Sequence, residues 1–119
     1  MPRPRCSMKA EDRVRLQHML DAARDALSFA EGRTRADLDT DRKLVLALVK
    51  CVEIVGEAAS QVSPETQAAT PEFPWTQMTA MRHRLVHAYY DVDLDVVWST
   101  LQEDLPQLVR ALGTALEAS

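Results

Sequence analysis

Residues 42–62, RKLVLALVKCVEIVGEAASQV, decide the fold. Leu44, Leu48, Val52, Val55, Ala59 and Val62 recur at three- and four-residue intervals, which places them on one stripe of a helix. Val45, Leu46 and Val49 widen that stripe, so this helix needs cover on more than one side and is the expected centre of a bundle. Working upstream, Leu16, Met19, Leu20, Ala23, Leu27 and Ala30 predict a first helix over residues 8–30 with Ser7 as its cap, ending at Gly32. The polar residues 32–41 form a connection, and Asp39 or Thr40 is the expected cap of the central helix.

Downstream, SPET at 63–66 and PEFPW at 71–75 place three prolines in a short span, which predicts an irregular connection or a single turn of helix. A third helix starts near Trp75 and is expected to end near Ala88, with Met78, Met81 and Leu85 on its apolar edge. Asp91 or Asp93 can cap a fourth, where Leu94, Val97, Trp98, Leu101, Leu105, Leu108, Leu112 and Leu116 run toward the C-terminus. Pro106 falls inside this run, which predicts a kink or a restart capped by Asp104. The reading is an all-α, four- to five-helix up-and-down bundle occupying residues 1–119 as one domain. Trp75 and Trp98 are expected as core or interface anchors.

Composition narrows the function. Only three glycines among 119 residues, with 46% hydrophobic side chains, exclude disordered and collagen-like classes. Cys6 and Cys51 form no C-x-x-C pair, and no stretch approaches the roughly 18 apolar residues of a membrane span. The opening MPRPRCSMKAEDR is charged, without an apolar secretion segment, so a cytoplasmic protein without membrane contact is expected. A net charge of −4 argues against indiscriminate binding to duplex nucleic acid. The halves differ, however: residues 61–119 carry eight acids and only three basic residues, Arg82, Arg84 and Arg110. Two of those three lie in MRHRLVHAYY, residues 81–90.

That stretch also holds two of the three histidines and both tyrosines. An arginine that grips phosphate with forked donors and a histidine titrating near neutrality are the minimum kit for metal-free phosphodiester cleavage, since RNA brings its own 2′-hydroxyl nucleophile. On one straight helix Arg82 and His87 would stand about 140° apart. Acting on one group therefore requires the helix to end near His87, or a second copy of the chain to complete the site. Tyr89 and Tyr90 can stack on a base or donate a hydrogen bond. A metal site at His83 and His87 would need a third ligand such as Asp91, and no H-E-x-x-H pattern is present, so neither metal nor cofactor is expected. His18 has no such neighbours and is given no role. Glu57 follows Gly56 in an apolar helix; it either orients an arginine across a close backbone contact or is an exposed carboxylate.

Arg82-x-x-x-x-His87-x-Tyr89 is similar to the R-x-x-x-x-H-x-Y motif of the HepT-like branch of the HEPN superfamily. IVGEAASQVS at 54–63 resembles that family's IGEAA helix, and PWTQMTAMRHRLVHAYYDVD at 74–93 resembles its motif-bearing core. VVW and LQEDLPQL, within 96–108, resemble its closing helix. His83 departs from the Asn or Asp that commonly follows the arginine, while keeping a polar side chain. The resemblance implies a homodimer of HEPN type whose motif residues meet between subunits, and the toxin of a type VII toxin–antitoxin pair. It assigns metal-independent endoribonuclease chemistry on tRNA or mRNA to Arg82 and His87; His83, the departure, keeps a supporting hydrogen-bonding role, and Glu57 is the supporting candidate read from its own surroundings. It also implies an MntA-type nucleotidyltransferase antitoxin that silences the toxin by AMPylation of Tyr89. The competing reading, from another class, is a non-catalytic module that positions a nucleotide or substrate for that nucleotidyltransferase.

Overall fold

The computed structural model describes residues 8–88 and 91–118, without the side chains of Arg82, His87, Ala88 and Ala118. Three long helices, α1 (Ala10–Phe29), α3 (Arg42–Ser60) and α5 (Trp75–Leu85), alternate with short ones, α2 (Asp37–Thr40) and α4 (Pro64–Ala69). A small hairpin of β1 (Val86–Ala88) and β2 (Asp91–Val92) follows. The chain closes with α6 (Leu94–Ser99), a widened turn at Thr100–Asp104, and α7 (Leu105–Ala118).

The stripe read in residues 42–62 is the centre of the bundle. Leu48, Val52 and Val55 of α3 are almost fully buried, as are Leu16 and Met19 of α1, Met78 and Leu85 of α5, and Leu105 and Leu112 of α7. Helix α3 packs against α1 on one side and α5 on the other, and α1 also packs against α7. The molecule measures 54 × 28 × 19 Å, and the short axis is about two helix diameters. Such a thin slab leaves outer helix faces in solvent, and Val14, Leu46 and Ile54 are exposed there.

Local chemistry corrects several expected boundaries. Helix α1 starts at Ala10 after an extended Lys9 that makes no side-chain cap, and Ser7 lies outside the described residues. Gly32 takes φ +75°, the left-handed geometry glycine accepts without strain, and turns the chain out of α1. The cap of α3 is Asp41, not Asp39 or Thr40, which sit in α2. Asp41 accepts from the Leu44 amide at 3.1 Å while its other oxygen takes Arg33 at 2.6 Å. Asp93 caps α6 by accepting from the Val96 amide. Pro106 causes neither a break nor a restart at Asp104. The preceding turn widens instead, with the Leu105 amide bonding the Thr100 carbonyl five residues back, which gives the proline ring room without ending the helix. Both tryptophans are half-buried, and the Trp75 indole N–H donates to the Thr70 carbonyl at 3.1 Å.

Asp12 is the buried carboxylate that composition did not single out. It is 3% exposed and accepts from the Ser63 amide at 2.9 Å, the Ser63 hydroxyl at 2.5 Å and the Thr66 hydroxyl at 2.5 Å. Ser63 is also the cap of α4, so Asp12 ties the start of α1 to the start of α4. Burial pushes its carboxyl up, but the bonds from Ser63 and Thr66, with the nearby charge of Lys9, outweigh that and hold it below the ordinary carboxylate value.

A carboxyl lowered in the fold contributes stability that is complete above its unfolded value and lost as pH falls through the folded one. Asp12→Ala is therefore expected to cost about 2–3 kcal/mol at neutral pH, read as a lower urea midpoint. The gap from the unsubstituted protein should shrink as pH drops below the ordinary 3.8. A gap that stays constant through that window would contradict the assignment.

Candidate functional site

The motif straddles the end of α5. Arg82 is in the last turn of the helix, and the chain leaves helical geometry at Val86, which has φ −126° and ψ 114°. Helix and hairpin share one junction: the Leu85 carbonyl accepts from the Asp93 amide at 2.6 Å, and Val86 pairs with Val92. Leu85 has no exposed surface, so its side chain anchors the junction in the core. The pairing is irregular between Val86 and Ala88, where Ala88 is opposite Asp91. His87 is thus on an extended segment while Arg82 is on a helix, the first of the two arrangements that the 140° separation required. Helix α5 ends three residues before Ala88, the expected limit, because β-branched Val86 and Val92 pair across the hairpin instead of extending the helix.

The same junction separates His83 from His87. His83 is exposed on α5, and the two histidines are not one helical turn apart, because the helix ends between them. Tyr89 and Tyr90 lie outside the described residues, between β1 and β2 in sequence.

Gly56 sets the distance between α3 and α5. A Cβ placed there would stand 3.3 Å from the Met78 carbonyl oxygen and 3.4 Å from that of Thr79. The close approach expected of this glycine therefore exists, and it falls on the turn of α5 immediately before Arg82. Glu57, the next residue, is exposed; its Oε2 accepts from the Gln61 amide nitrogen at 2.9 Å, and its carbonyl accepts from the Ser60 hydroxyl.

Glu57 also lines a cleft of about 340 Å³ between α1 and α3, together with Arg15, His18, Lys50 and Glu53. This gathers His18, which the sequence left without a role, beside Glu57 and two cations. No spacing within one segment could reveal it, since the cluster depends on the register between two helices. Cys51 is core: burial, and then the charge of Asp25, raises its thiol, which disfavours the reactive thiolate.

Two glycines give opposite expectations. Gly56→Val should push α3 from α5 and lower stability by about 1–3 kcal/mol. Gly113→Ala meets nothing within 4 Å and should raise stability by about 0.5–1 kcal/mol through helix propensity. Chemical denaturation of the two variants checks both signs, and a neutral Gly56→Val would contradict the close contact.

A family model described as ribonuclease HepT-like matches residues 19–115 of this chain. The chain is 37% identical over 93 residues to the "Probable ribonuclease HepT" of Thermococcus cleftensis, covering 75% of this chain and 84% of that protein. It is 25% identical over 102 residues to a Methanocaldococcus jannaschii protein named as an RNase, MJ1380, covering 86% and 94%. A protein of Caldanaerobacter subterraneus subsp. tengcongensis named as an RNase, TTE0752, is 28% identical over 102 residues, covering 86% and 91%. No solved structure matches. The model covers the stripe of α3, the motif and most of the closing helix, and the chain belongs to the ribonuclease HepT-like family of the HEPN superfamily.

Proposed function

We propose that this chain is the toxin of a type VII toxin–antitoxin pair, a metal-independent endoribonuclease that works as a cytoplasmic homodimer and is silenced by an MntA-type nucleotidyltransferase. The observation that carries the reading is the end of α5 at Leu85, which places Arg82 and His87 on different backbone geometries within six residues. In this mechanism His87 takes the proton of an RNA 2′-hydroxyl. The 2′-oxygen bonds to the adjacent phosphorus, the bond from phosphorus to the 5′-oxygen breaks, and a proton is returned to that oxygen. Arg82 holds the phosphate and stabilises the charge that builds on its oxygens in the transition state.

The contact of Gly56 with the Met78–Thr79 turn brings α3 next to the part of α5 that leads into Arg82, which favours Glu57 as the carboxylate that orients this arginine. His83, exposed on α5, is read as a supporting polar group. Control falls to Tyr89: transfer of AMP from ATP joins the tyrosine oxygen to the α-phosphorus and releases pyrophosphate. The added phosphate and base would then compete with RNA for the arginine and block its approach. The substrate is RNA, tRNA or mRNA, and a second subunit concentrates basic residues of this net-acidic chain around the motif.

Purified, unmodified protein is expected to cleave RNA in EDTA. Arg82→Ala and His87→Ala should each lower the rate by about 10²–10⁴-fold with an unchanged unfolding midpoint. Incubation with the nucleotidyltransferase and ATP should add AMP mass to the toxin and stop cleavage, except in Tyr89→Phe. Undiminished cleavage by both site variants would refute the assignment. RNA left intact by the unmodified protein, together with a nucleotidyltransferase that depends on it, would instead establish the non-catalytic module.

A further inference from the structure

A cavity of about 230 Å³ opens on the side of α5 that faces the closing helix. Its floor is apolar and buried, formed by Phe73, Met78, Met81 and Leu108. Its rim is polar: Gln77 and Arg84 come from α5, Gln107 from α7, and Asp104 from the end of the widened turn. Nothing in the catalytic assignment uses these groups. We infer that this cavity seats one base of the RNA strand flanking the scissile linkage, favours a base bearing an exocyclic amine over uracil, and thereby sets the sequence context of cleavage. The inference rests on the nuclease reading above.

Three observations support it. The first is size: ligand pockets for drug-sized molecules span roughly 300–1,000 Å³, and this smaller volume suits a single flat ring with its sugar and phosphate outside. The second is chemistry. Methionine sulfur and a phenylalanine edge make a polarizable floor for an aromatic ring, and unpaired RNA bases are read by such surfaces together with amide and arginine groups at their edges. A carboxylate only accepts hydrogen bonds, so Asp104 selects a donor. Adenine, cytosine and guanine offer an amine that can donate to Asp104 and to a glutamine carbonyl at once, whereas uracil has a single ring N–H.

The third observation is position. Arg84 stands two residues after Arg82 and three before His87, so its Cα is within about 11 Å of that of His87. At the stacked rise of about 3.4 Å, a strand leaving the site reaches the cavity in about three nucleotides. The rim also owes its shape to the departure from regular helix at Thr100–Asp104, because one extra residue in that turn rotates Asp104 relative to the stripe of α7.

The test uses the intact chain and the four nucleoside 5′-monophosphates, with the methyl resonances of Met78 and Met81 as reporters. AMP, CMP and GMP are expected to shift both methyls, and UMP to bind about tenfold more weakly. The shifts should disappear in Gln77→Ala/Gln107→Ala, whose changed residues are exposed and leave the core alone, and in Ala111→Phe, which fills the cavity. Mapping of cleaved RNA ends should then show sequence preference lost in the double variant while total cleavage continues. Shifts absent from the unsubstituted protein, equal for all four nucleotides, or retained in the double variant would overturn the inference. So would an unchanged cleavage context, and in that case the nuclease reading would stand. If no RNA is cleaved yet the selective shifts occur and vanish in the double variant, the nuclease reading fails and the cavity remains a base-binding site.

Discussion

The bond from the Asp93 amide to the Leu85 carbonyl, 2.6 Å long, is the constraint on which the rest of the motif region depends. In a continuing helix that carbonyl would receive the amide of the fourth residue on, and the chain would keep its rotation of about 100° per residue. Here it is taken by a residue from beyond the hairpin, so the helix stops and Val86–Ala88 becomes a strand. Leu85, fully buried, fixes the end of α5 in the core, and Asp93 caps α6 from the other side of the hairpin. One short stretch thus ends a helix, makes a hairpin and starts α6, with Arg82 on its helix and His87 on its strand.

The bundle is built to hold that junction in place. Gly56 lets α3 approach the backbone of α5 within van der Waals contact just before Arg82, and Val55 and Ala59 on either side are fully buried. Asp12 pins the start of α1 to the cap of α4, which leads into the proline-containing connection before α5. Farther along, Arg35 bonds Asp39 at 3.1 Å and Asp95 at 2.9 Å, joining α2 to α6 next to the hairpin. That last tie is solvent-exposed and adds little stability; its contribution is orientation.

The helices were legible because their apolar residues repeat without interruption. Leu44 to Val62 and Leu94 to Leu116 each give a stripe long enough that no competing period fits. The caps were legible only as types of residue: Asp39, Thr40 and Asp41 are all acceptable caps, and the choice of Asp41 follows from its second bond, to Arg33. The hairpin was not legible, because HAYYDV has no Gly or Asn at its centre and its pairing is a tertiary fact. Asp12 was also invisible, since it reads as an ordinary acid in a first helical turn and its partners are more than fifty residues away. In the site, the motif could be read as a pattern of side chains, and the split between helix and strand was one of two arrangements left open. The cleft joining His18, Lys50 and Glu57 needed the register of α1 on α3. The widened turn before Pro106 stands in place of the expected restart at Asp104 because adding a residue to a turn costs less than ending a well-buried helix.

Helix α5 ends at Leu85, and His87 follows on an extended segment. Residue-by-residue backbone NMR of the unmodified chain measures this directly. It should give helical carbon shifts through Leu85, extended shifts over Val86–Ala88, and a cross-strand contact between Val86 and Val92. Helical shifts continuing through His87, with no contact between Val86 and Val92, would contradict it.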